Sequence, residues 1–158
     1  VQLLEIVTAP ATEVEPEPAV LDGSDAVSQV AETPGIVARL QSTGHVVLAD
    51  LEFASGAGAL SDRSYDTLEA LAAFLKEDAA RVIVLVGHTD AVGSLEANVA
   101  LSRRRAEAVR NRLVNRYDVP RAQVQAQGAG YMAPVASNLT TDGREANRRV
   151  EAVLLSAE

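Results

Sequence analysis

The sequence predicts an α/β chain of the α+β sandwich kind, with two main helices packed on one face of a small mixed sheet, and three observations predict it. Apolar residues alternate with period two in "HVVLADLEF" and "AQVQAQG". They run without interruption after the arginine of "RVIVLV" and, but for Glu151, through "VEAVLL". Between these segments they recur at helical spacing, so the elements follow in the order βαβαβ, loop, β.

Each element has its own warrant. In "HVVLADLEF" the alternation sets Val47, Ala49, Leu51 and Phe53 on one face of a half-buried strand, which "ASGAGAL" then ends. "SDRSYDTLEALAAFLKED" places Leu68, Leu71 and Leu75 on a helical stripe, with Ser61 as the expected N-cap and Asp62 suited to the positive end of the helix dipole. "RVIVLV" is apolar at every position after its arginine, the pattern of a central strand covered on both faces. Leu95, Val99, Ser102, Ala106, Val109 and Leu113 follow at intervals of three and four, which describes a long amphipathic helix ending near Arg116. "AQVQAQG" reads as a short strand, "AGYMAPVASNLTTDGREANR" as a 20-residue polar loop, and "RVEAVLL" as the closing strand.

Charge divides the chain. Residues 1–35 carry seven acids (Glu5, Glu13, Glu15, Glu17, Asp22, Asp25, Glu32), no Lys or Arg, and four of the six prolines. Residues 36–158 hold the remaining 15 acids against all 14 bases, so most of the net charge of −8 belongs to the first segment. Residues 10–35 therefore read as an acidic, Pro-rich, extended linker, residues 1–9 as the tail of an upstream element, and 36–158 as one globular domain. Cysteine is absent and there are two histidines, His45 and His88, so thiolate and His-rich zinc sites are excluded and no cofactor is expected. No apolar run reaches the 18 or so residues of a membrane span.

Candidate site residues gather where the apolar strand ends. The loop "GHTDAVG" leaves the strand's C-terminal end, where ligands meet polar groups in strand-helix units, and Asp90 sits at its tip. On the following helix Asn98 and Arg105 are seven residues apart, so they fall within about 20° of one face and about 10.5 Å apart along the axis. Arg103 and Arg104 point elsewhere. An acid at the strand tip and a guanidinium on the adjoining helix would line one cleft with opposite charges, and such a cleft suits a zwitterion.

"GHTDAVGSLEANVALSRRRAEAVRNRL", "GAGYMAPVASN" and "GREANRRVEAVL" together resemble the OmpA-like peptidoglycan-binding domain of OmpA C-terminal domains, Pal lipoproteins and MotB stator proteins. The resemblance covers roughly residues 44–155. It implies non-catalytic binding of the diaminopimelate residue in the peptidoglycan stem peptide. Asp90 and Arg105 would engage the free ammonium and carboxylate at the far end of its side chain, and Asn98, Thr89, Leu101 and Ser102 would fall on neighbouring pocket positions. Where the family usually has a polar residue after Thr-Asp, this chain has Ala91. The implied setting is the periplasm of a Gram-negative bacterium, in an outer-membrane or envelope protein whose only membrane contact lies upstream; dimer formation is left open.

Other readings were weighed on the same residues. His88 beside Asp90, with Ser94 or Ser102, has the composition of a catalytic dyad, but no nucleophile elbow or oxyanion motif accompanies it, so an enzyme, including a peptidoglycan-directed hydrolase, is not expected. "GAG" at 128–130 is too short for a phosphate loop. Arg144, Arg148 and Arg149 do not make a nucleic-acid surface in an acidic chain with few aromatics. Arg144 and Asn147 are expected to hold the long loop against the sheet, while strand alternation sends Arg148 and Arg149 to opposite sides. A purely structural, dimerising domain without a ligand is disfavoured by the intact Asp90 and Arg105.

Overall fold

A computed structural model describes residues 35–54 and 57–156. The readings for residues 1–9 and for the linker, apart from Gly35, lie outside the described residues. In chain order the elements are α1 (Ile36–Thr43), β1 (His45–Val47), α2 (Asp66–Lys76), β2 (Val82–His88), α3 (Leu95–Arg116), β3 (Val124–Gly130), α4 (Thr141–Asn147) and β4 (Val150–Ser156). A 3₁₀ turn over Arg121–Gln123 leads into β3. The four strands form one sheet in the order β1-β4-β2-β3, in which β4 runs antiparallel to both neighbours and β2 parallel to β3. The fold class is therefore α+β, as the element order predicts.

Register decides which residues are inside. Ile83 lies opposite Val124 and Leu154, and Leu85 opposite Ala126 and Ala152. This face packs with Leu40 of α1, Leu68, Leu71 and Leu75 of α2, and Ala106, Val109 and Leu113 of α3 into one core. Val84 and Val86 point the other way and are only half-buried. The expectation that β2 is covered on both faces is thus corrected: it is central in the sheet, but only one face is closed by helices.

Three other expectations are corrected. β1 is three residues long, and Val46 and Leu48, not Val47 and Ala49, are buried in the core; Val47 is 38% exposed, while Leu51 and Phe53, beyond the strand, pack partly buried against the core. Both alternating sets of this segment are apolar, so its period is clear while its phase is not. Pairing ends because the chain turns at Ala49–Asp50. Next, α2 begins at Asp66 and not near Ser61; its N-cap Tyr65 offers no side-chain cap, and the Asp50 carboxylate instead accepts from the Thr67 amide at 3.3 Å and from the Thr67 hydroxyl. Asp62 pairs with Arg116 at 3.2 Å, on α3. Finally, the polar loop contains α4, capped by Thr140, whose hydroxyl accepts from Gly143 N at 3.1 Å.

Two glycines set how closely α3 approaches the sheet. A Cβ on Gly87 of β2 would strike the Ser102 carbonyl of α3, and one on Gly128 of β3 would come 2.5 Å from the Val99 carbonyl. The helix backbone therefore rests directly on the strands. Among the described residues, no helix is long and apolar enough to cross a membrane.

Candidate functional site

β2 delivers Thr89 and Asp90 to the rim of the sheet, and the two flanking strands hold them there. His88 N donates to Arg149 O at 2.8 Å, and Thr89 N to Gly130 O at 2.8 Å. The turn that follows needs Gly93 at φ 91°, a left-handed conformation that glycine adopts without strain. Ser94 then caps α3, its hydroxyl accepting from Ala97 N at 3.2 Å. Asn98 braces the same turn, donating to Val92 O at 2.8 Å and Ser94 O at 3.0 Å. Ala91, where a polar side chain is usual in the resemblance, donates its amide to Asn138 Oδ1 at 3.1 Å.

These elements surround a cleft of about 480 Å³. Its polar lining is Thr89, Asp90, Asn98, Arg105 and Arg148; its apolar lining includes Phe53, Val92 and Leu101. Five of the six residues singled out in the sequence thus share one cavity. Ser102 is not among them: it is fully buried, donating to Val99 O at 3.0 Å and accepting from Gly130 N at 3.0 Å, so its hydroxyl ties α3 to β3. Arg103 pairs with Glu107 at 3.2 Å on the exposed side of α3, away from the cleft as the helical spacing requires.

The electrostatics of the cleft are asymmetric. Arg105 is 8% exposed, its guanidinium lies 5.4 Å from the Phe53 ring centroid, and Nε reaches Ala57 O at 3.5 Å. Among the described residues it forms no ion pair. Burial, and then the neighbouring Arg148, lower its pKa, while Asp90 opposes them. Arginine nevertheless stays charged, so a buried cation is held without a carboxylate against it. Asp90 does have a partner. Its Oδ2 accepts from Arg148 Nη1 at 2.8 Å and its Oδ1 from Val92 N at 3.0 Å. Burial favours the neutral acid, but the Arg148 and Val92 hydrogen bonds with the charges of Arg148 and Arg144 outweigh it and hold the carboxyl below the usual range.

Arg148 is the cleft residue that the sequence reading left out. It had been placed only by alternation with Arg149, and the structure does separate them: Arg149 Nε donates to Glu151 Oε1 at 2.6 Å on a different contact. The missing information was strand order. Because β4 lies antiparallel beside β2, Arg148, two positions before β4, meets the tip that follows β2. Asn147 and Arg144 do hold the long loop, but against α4 and not against the sheet: Asn147 Oδ1 accepts from Val135 N at 2.8 Å and Ala136 N at 3.0 Å, and Arg144 donates to Asn138 O at 3.0 Å, because both residues lie on that helix. A second groove along α3, beside Ala59 and Asn111, has its one acid already engaged, since Asp62 pairs with both Arg112 and Arg116. Among the described residues, no group of three or more His, Asp or Glu side chains is placed to hold a metal ion.

A helix-backed mixed sheet with a charged cleft at the strand tips defines this as an α+β domain with a ligand-sized recess of mixed charge. The OmpA family sequence pattern matches residues 52–148, and the chain belongs to that family. It is 43% identical over 106 residues to outer membrane porin F of Pseudomonas aeruginosa, covering 67% of this chain and 30% of that protein. It is 32% identical over 148 residues to the peptidoglycan-binding protein ArfA of Mycobacterium tuberculosis, covering 91% of this chain and 45% of that one. The chain therefore spans less than half the length of these curated relatives. Among solved structures, the peptidoglycan-associated lipoprotein of Burkholderia pseudomallei superposes with a TM-score of 0.61 at 33% identity, over 66% of this chain and 88% of that one.

Proposed function

We propose that the domain binds the diaminopimelate-bearing stem peptide of peptidoglycan in this cleft and so anchors an envelope protein to the cell wall. The observation that carries the reading is that Asp90 and Arg105, of opposite charge, line one cavity. The far end of diaminopimelate offers one ammonium and one carboxylate, which complement Asp90 and Arg105, the latter without an ion pair among the described residues. Thr89, Asn98 and Leu101 complete the walls. The names of ArfA and the peptidoglycan-associated lipoprotein, both similar to this chain, support peptidoglycan as the partner.

The reading is of a binding module and not an enzyme. Asp90, whose carboxyl is held below the usual range by Arg148, is poorly suited to proton transfer near neutrality. His88 lies beside it in sequence but does not line the cleft. The setting proposed is the periplasm, with membrane attachment through a region upstream of the domain and the acidic segment 10–35 as a spacer. A single stem peptide makes few polar contacts and loses freedom on binding, so a soluble muropeptide should bind no tighter than roughly micromolar, with repetition along the wall supplying persistence.

Hydrogen bonds to charged groups contribute about 1.5 to 3 kcal/mol each, so Asp90→Ala or Arg105→Ala should weaken binding by roughly one to two orders of magnitude. Co-sedimentation with purified diaminopimelate-type sacculi measures it. Parental binding by both variants would place the site elsewhere.

A further inference from the structure

The cleft holds two guanidinium groups and one carboxylate, while the far end of diaminopimelate brings only one ammonium and one carboxylate. When the ligand's ammonium takes Asp90, Arg148 loses the partner it holds at 2.8 Å. The two arginines also stand at different depths. The Arg105 side chain is enclosed beneath Phe53, whereas the Arg148 side chain is 39% exposed. Beside Arg148 lies a neighbouring depression of about 260 Å³, which shares Phe53, Arg105 and Arg148 with the cleft and is bordered by Leu51, Glu52 and Glu145. A ligand whose side chain fills the closed end and whose backbone remains joined to a polymer leaves past Arg148.

We propose that Arg148 determines specificity by exchanging Asp90 for a second ligand carboxylate, so that the site reads one ammonium and two carboxylates. The inference rests on the function proposed above. In the resting protein the Asp90–Arg148 pair keeps both groups compensated. On binding, Asp90 turns to the ligand's ammonium, Arg105 takes the side-chain carboxylate beside it, and Arg148 takes a carboxylate from the peptide backbone. No cation is left alone in the partly desolvated cleft. Glu52 and Glu145, which line that depression with Arg148, bound the positive region and disfavour a carboxylate placed beside them. The stem peptide has two carboxylates that could answer: the α-carboxylate of its γ-linked D-glutamate and the free carboxylate at its C-terminus.

Isothermal titration of the 158-residue chain with the synthetic tripeptide L-Ala-γ-D-Glu-meso-diaminopimelate separates them. The peptide is used as the free acid, amidated at the glutamate α-carboxylate, amidated at the C-terminal carboxylate, and amidated at both. Blocking one of the two should weaken binding roughly tenfold, and its position identifies the carboxylate read. In Arg148→Gln the free acid and that amide should bind alike. Equal binding of the free acid and the doubly amidated peptide by the parent chain overturns the proposal without reference to any variant, as does a penalty that persists undiminished in Arg148→Gln. A fifth peptide, acetylated on the far ammonium, tests the underlying reading separately: it should fail to bind the parent chain. If it binds as the free acid does, the diaminopimelate reading itself is wrong.

Discussion

Asp90 and Arg105 look equivalent in the sequence, one acid and one base on adjoining elements, but the structure gives them different standing. Asp90 is already ion-paired, and Arg105 is buried with no ion-pair partner among the described residues. Their adjacency could be read from the strand-loop-helix order and the seven-residue spacing on α3, because both are local. Arg148 could not be read, because it reaches the cleft through the pairing of β4 with β2, some sixty positions apart, which no local pattern encodes. His88 shows the same division. It was legible as a polar residue at the end of an apolar strand, but its enclosure was not: it is 5% exposed, neither ring nitrogen has a hydrogen-bond partner among the described residues, and Glu151 Oε1 lies 4.0 Å from Nε2. Burial and the charge of Arg149 lower its pKa, against the opposing pull of Glu151. A histidine whose folded pKa is lowered binds its proton first in the unfolded chain, so folding loses stability as the pH falls below about 6.5 and the loss levels off below the folded value. His88→Phe should flatten that dependence. Thermal melts between neutral pH and pH 5 measure it, and an unchanged slope in the variant would assign the pH dependence to other groups.

Elements were legible in proportion to their length and hydrophobic contrast. α3, with 22 residues, and β2, flanked on both sides in the sheet, follow from periodicity alone. α1 has eight residues and one fully buried side chain, Leu40, so its stripe is too short to register as a period. α4 has only Ala146 as an apolar side chain and contains Gly143; Thr140 caps it, and Gly143 lets it approach the Ser137 carbonyl, where a Cβ would collide, so it rests on local contacts and not on an apolar stripe. The close seating of α3 on β2 is what fixes Arg105 relative to Asp90. Replacing Gly87 by alanine would force the Ser102 backbone away, so Gly87→Ala should cost about 1–3 kcal/mol of stability and weaken ligand binding in the fraction that still folds. Urea unfolding together with a binding assay reports both; a variant as stable and as tightly bound as the parent would mean that the helix can shift without consequence.

For the molecule as a whole, sheet order is the step from a list of elements to a site. Placing β4 between β1 and β2 brings the start of the last strand to the tip of the second, and with it a second guanidinium to the cleft. The central claim is that this cleft receives the far end of diaminopimelate. Its most direct test is an amide chemical-shift titration of the domain with matched stem tripeptides ending in meso-diaminopimelate or in L-lysine, which lacks the distal carboxylate and would leave Arg105 without a partner. The account predicts saturable shifts concentrated at Thr89, Asp90, Asn98 and Arg105 with the diaminopimelate peptide, and binding weaker by roughly tenfold or more with the lysine peptide. Equal affinity for the two peptides, or shifts centred away from these residues, would contradict it.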